Sequence, residues 1–107
     1  MAKYLVKATY SQEGLKGVIK GGGSARRAAL TQSAQSVGGK LEAFYFAFGK
    51  DDVYLIVDAP DNVSVAALTL AAGASGSVSR LETVVLLTPE EVDQAAKKTV
   101  TYRAPGQ

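Results

Sequence analysis

At 107 residues the chain has room for one domain and one core, not two. An apolar share of 47% with 21% charged residues excludes a disordered chain, and a net charge of +2 on scattered basic residues leaves no clustered footprint for nucleic acid. The absence of cysteine removes disulfides and thiolate metal sites, and the absence of histidine removes the commonest general base and transition-metal ligand together.

Ala2 to Tyr10 alternates, with Tyr4, Val6, Ala8 and Tyr10 on one side and Lys3, Lys7 and Thr9 on the other; this predicts a strand with one side more buried. Ser11 is placed to cap a short helix carrying Leu15, Val18 and Ile19, which two internal glycines weaken and Gly21-Gly22-Gly23 ends. Ser24 is placed to cap a second helical segment to about Val37, with Leu30, Ala34 and Val37 as its apolar stripe and Gly38-Gly39 as its stop. Arg26 and Arg27 flank that stripe in the first turn, within reach of the edge of whatever it covers.

The stretch Lys40 to Asp61 holds most of the aromatic residues and reads as two strands joined by a tight turn at Gly49 to Asp52. Leu41 to Phe48 places Phe44, Phe46 and Phe48 on one face and Leu41, Ala43, Tyr45 and Ala47 on the other. Val53 to Ala59 is a continuous apolar run, as in a strand covered on both sides. Pro60 ends it, and Asp61 or Asn62 opens a helix to about Ala72. A fourth strand is predicted over about Val78 to Leu87. Thr88-Pro89-Glu90-Glu91 is a capping box with proline at the first helical position, and the helix it starts should reach Lys98. These elements define a single domain over residues 1–98, followed by an extended tail, 99–107, in which Val100 and Tyr102 alternate.

The order is that of an α+β, ferredoxin-like βαββαβ sandwich with a broken first helix and an extra C-terminal helix. Such a sheet has one bare face. Here that face is apolar as well, and each large apolar side chain left in water forgoes roughly 1.5–3 kcal/mol. A second copy stacked on it is the simplest cover, which predicts a dimeric α+β barrel, a homodimer or a higher homo-oligomer.

The hairpin FYFAFGKDDVYLIVDAPD, the upstream Gly38-Gly39-Lys40-Leu41 and the downstream helix and strand resemble the GYD domain family, small bacterial proteins of about this length. The resemblance runs from MAKYLVKATY to the TPEEV capping box and implies a ferredoxin-like protomer of the dimeric α+β barrel type. Where the family has Gly-Tyr-Asp, this chain has Gly49-Lys50-Asp51-Asp52, so no role for that tyrosine ring carries over. The resemblance implies a fold and no particular chemistry.

Three groups of residues are candidates for function. Asp51 and Asp52 are turn residues by type, and each is also a carboxylate able to serve as acid, base or ligand. The glycine-rich run into Arg26 and Arg27 is a joint between helices or an anion site, and it lacks both the GxxxxGK[ST] and GxGxxG patterns. Tyr4 and Tyr10 share a strand face and, if it looks toward the helices, line a cleft with Arg26, Arg27 and Asp52 at its mouth; Tyr45 lies opposite the phenylalanines. Two functions follow. One is a self-associating protein that binds a small organic ligand or another protein. The other is a cofactor-free enzyme of the small monooxygenase or isomerase kind, acting on an aromatic or enolisable substrate with Asp51, Asp52 or Tyr45 as catalytic groups. No metal and no cofactor is expected. An RNA-binding reading fails because the aromatic strand lacks a basic flank. The N-terminus has no apolar signal-like run and no stretch approaches a membrane span, so a cytoplasmic protein is expected.

Overall fold

The computed structural model describes all 107 residues. Its elements are β1 (Ala2–Tyr10), α1 (Gln12–Gly21), α2 (Gly23–Ser36), β2 (Lys40–Phe46), β3 (Val53–Ala59), α3 (Asn62–Ala74), β4 (Val78–Leu86) and α4 (Pro89–Ala96). The strands form one antiparallel sheet in the order β2-β3-β1-β4, with β1 and β3 in its centre. This is an α+β architecture compatible with the ferredoxin-like arrangement, and its first helix is broken as the glycines predict.

The breaks follow local chemistry. The side chain of Ser11 accepts from the Gly14 N–H and that of Asp61 from the Ser64 N–H, so both helices start where a cap exists. The Thr88 box is complete, with the Glu91 carboxylate accepting from the Thr88 N–H at 2.9 Å. Between α1 and α2 the chain turns at Gly22, whose φ of +88° lies in the region that side chains avoid. The cap of α2 is therefore this glycine and not Ser24, which stands inside the helix. At Gly14 the constraint is space: a Cβ there would collide with the Ser77 carbonyl, so α1 lies against the start of β4 only because the residue is glycine.

Alternation sorts the sheet into two faces. Tyr4 and Ala8 of β1 and Val53, Leu55, Val57 and Ala59 of β3 are buried beneath the helices, joined by Ala34 of α2 and Val65 of α3. In β2 the expected alternation slips. The register shifts between Leu41 and Ala43, so Leu41 pairs with Val57 and Phe44 with Leu55, both on the helix side. A bulge at Glu42 thus moves Leu41 to the same face as Phe44 and Phe46. The strand also ends at Phe46, and Phe48 stands fully exposed in the turn.

Candidate ligand-binding site

Between the sheet and helices α2 and α3 lies a cavity of about 250 Å³. Val6, Ala8 and Tyr10 form its floor with Phe44, Leu55 and Leu81; Leu30 of α2 and Leu68 of α3 form its walls. Fifteen of the twenty lining residues are hydrophobic, and Arg26 is the single charged one. A second hollow of about 240 Å³, between α1 and α2, shares Tyr10, Arg26 and Ser77 with the first, so those three residues stand between the two.

The polar lining is mostly spent. Ser33, Thr69 and Ser75 donate their hydroxyl protons to carbonyls of their own helices, at 3.0, 3.0 and 2.6 Å. Arg26 is different. It enters none of the chain's four ion pairs, which are Lys3–Glu42, Lys3–Asp58, Lys7–Glu82 and Arg80–Asp51. Burial raises the Tyr10 pKa above its ordinary value of 10.0, partly opposed by the nearby Arg26 charge, so Tyr10 stays a neutral hydroxyl at neutral pH.

The residues singled out in the sequence go to three places. Tyr10 and Arg26 meet at the cavity; Arg26 and Arg27 are both exposed, and only Arg26 belongs to its lining. Tyr4 is on the helix side as its strand position requires, but it is core, 2% exposed, with its hydroxyl donating to Asn62 Oδ1 at 2.6 Å. Tyr45 is on the other face of the sheet and 70% exposed. The two aspartates fasten the β2–β3 turn to β1. Asp51 is buried and accepts from the Thr9 hydroxyl at 3.2 Å, with the Arg80 guanidinium 3.6 Å away. The Asp52 carboxylate accepts from the Tyr10 N–H at 2.9 Å, while its own N–H donates to the Ala8 carbonyl. Neither aspartate lines the cavity.

Some lining residues carried no signal in the chain. Leu30 could be read from the stripe of α2, but Leu81 and Ser77 line the cavity only because β4 returns beside β1. No group of three or more acidic side chains is placed to hold a metal ion, and no helix is long and apolar enough to cross a membrane.

A four-stranded antiparallel sheet with one helix-covered face defines a small α+β protein, compatible with the ferredoxin-like fold. The family model of the GYD domain matches residues 4–96, and the chain belongs to that family. A comparison with curated proteins finds no match.

Proposed function

We propose that this protein binds a small apolar molecule carrying one carboxylate, and that it does so as a homodimer paired through the bare face of its sheet in the bacterial cytoplasm. The observation that carries the reading is the cavity, mostly apolar, with Arg26 as its single charged residue and that cation in none of the chain's ion pairs. A cavity of about 250 Å³ holds about eight non-hydrogen atoms if each takes the roughly 30 Å³ share of a water molecule. An apolar body would displace weakly held water from the pocket, and the acid would reach Arg26 and the Tyr10 hydroxyl, the side that borders the second hollow. Binding is favoured over acid–base catalysis because Asp51 and Asp52 are engaged in fastening the turn, and Tyr45 is on the far face.

The pairing rests on the composition of the bare face. Its central row, Ala43, Ile56, Leu5 and Val84 by register, is apolar. The rows on either side are neutralised internally, by Lys3 and Lys40 with Asp58 and Glu42, and by Lys7 with Glu82. Such a face has apolar area to lose and no net charge to repel a copy of itself.

Titration calorimetry with hexanoate and with hexanol tests the ligand reading. Hexanoate is expected to bind more tightly than hexanol, and Arg26→Met to remove that preference by about tenfold or more. Leu30→Trp, which fills the cavity, should abolish both. No binding of either compound, or binding untouched by Leu30→Trp, would overturn the reading.

A further inference from the structure

We propose that the C-terminal arm, α4 with residues 97–107, pairs antiparallel with the same arm of a second copy, forming an interface separate from the sheet face. The first argument is shape. The radius of gyration is 16.8 Å, whereas a compact domain of this length has about 13 Å. The excess lies in the arm: every residue from Pro89 to Arg103 is exposed, and no other element packs closely on α4.

The second argument is surface. The chain exposes 7486 Å², against about 5,700 Å² for a folded monomer of its mass. The excess, about 1,800 Å² per chain, is roughly twice the ~800 Å² that each partner contributes to a standard interface. One sheet-to-sheet contact therefore leaves about as much again to be covered. The arm is where the rest is exposed.

The third argument is pattern. Val92, Ala95 and Ala96 fall on one stripe of α4, and Val100 and Tyr102 continue with apolar side chains that are about three-quarters exposed. This stripe has nothing in its own protomer to face. An eight-residue helix is too short to be stable without packing, however well it is capped. The charges name the partner. Glu90, Glu91 and Asp93 stand at the start of the arm and Lys97, Lys98 and Arg103 toward its end. Two such arms laid antiparallel about a two-fold axis set acidic start against basic end at both ends, with the apolar stripes between them. Laid parallel, they would oppose like charges.

The chain has no cysteine, so a single introduced one reports on itself. Ala96→Cys stands near the middle of the arm, where antiparallel pairing brings the two copies together. Under mild oxidation it should form linked dimers about tenfold or more faster than Lys16→Cys on α1, an exposed position outside the arm. Placing Glu90→Lys and Asp93→Lys in the Ala96→Cys chain should suppress the linkage, as should placing Lys97→Glu and Lys98→Glu there. Mixing the two charge variants should restore it, as heterodimers. The same experiment in an Ile56→Asp background removes the sheet contact, so that failure of sheet pairing and failure of arm pairing are told apart. Linkage at Ala96→Cys no faster than at Lys16→Cys, or no restoration on mixing, would overturn the proposal.

Discussion

Along β3, Val53, Leu55, Val57 and Ala59 point to the helices and are buried, whereas Tyr54, Ile56 and Asp58 between them point the other way and stay half-exposed. The same seven residues thus serve two environments with one backbone. On the helix side the alternation ends in a packed core with a cavity beside it. On the other side it ends in an apolar row fenced by lysine–carboxylate pairs, with no element above it. Burial on one side is supplied by the chain's own helices; on the other the chain supplies none. Adjacent positions in one strand should therefore respond to substitution in different experiments.

The largest effect is expected on the helix side. Leu55→Ala should lower unfolding stability by about 2–5 kcal/mol, measured by urea denaturation, because it enlarges a space the helices cannot close. Its neighbour Ile56→Asp should cost the isolated protomer far less and instead abolish pairing through the sheet, read by sedimentation at micromolar protein in a chain whose arms are kept apart by Glu90→Lys and Asp93→Lys. If Ile56→Asp unfolds the protomer as readily as Leu55→Ala, the two faces are not different in kind. Tyr4→Phe is smaller. It keeps the buried ring and removes the hydroxyl that donates to Asn62, so a loss of about 0.5–1.5 kcal/mol is expected. A loss as large as that for Leu55→Ala would mean that the hydroxyl, and not the ring, anchors β1 to the start of α3.

How much of this was legible in the chain depends on whether the cause was local. The caps at Ser11 and Thr88 are read directly, and that of α3 to the pair Asp61 and Asn62, because a side chain two or three residues from its target settles them. The faces of β1 and β3 follow from alternation alone. The face of Leu41 does not, because a bulge at Glu42 adds one residue without any composition that marks it. Asp51 illustrates the same limit. Turn chemistry accounts for an aspartate there, but its burial depends on Thr9 and Arg80, residues from strands distant in sequence. Of the candidate site, Tyr10 and Arg26 could be proposed because a strand face and a helix edge each have a direction. Arg27 lies on the other side of the same stripe, about 100° further round α2, and which side faces the cavity is set by how α2 sits on the sheet.

The smallest effect tests the fence around the bare face. The Lys3 ammonium donates to Asp58 at 2.8 Å and to Glu42 at 2.6 Å, and the first of these bonds holds the Asp58 carboxyl below its ordinary value of 3.8. A depressed carboxyl contributes stability that is present above its unfolded value and is lost as pH falls through the folded one, so Asp58 weakens the fold only in acid, below 3.8. Asp61, lowered by its hydrogen bonds from Ser64, acts in the same direction. Lys3 is raised above 10.5 by Asp58 and Glu42, and Lys7 by Glu82; their contribution is complete below 10.5 and is lost as pH rises beyond it. Stability should therefore be level across the neutral range and fall at both ends. Asp58→Asn should reduce the fall below about pH 3.8, because the variant has no carboxylate to protonate there. Some acid sensitivity remains, since Asp61 still caps α3. The alkaline limb should shift only through Lys3, which loses its first partner, while Lys7 keeps Glu82. Urea midpoints measured across this range decide the matter: an acid limb unchanged by Asp58→Asn would show that the Lys3–Asp58 bond is too open to water to fence the sheet, and that the apolar row alone must direct the pairing.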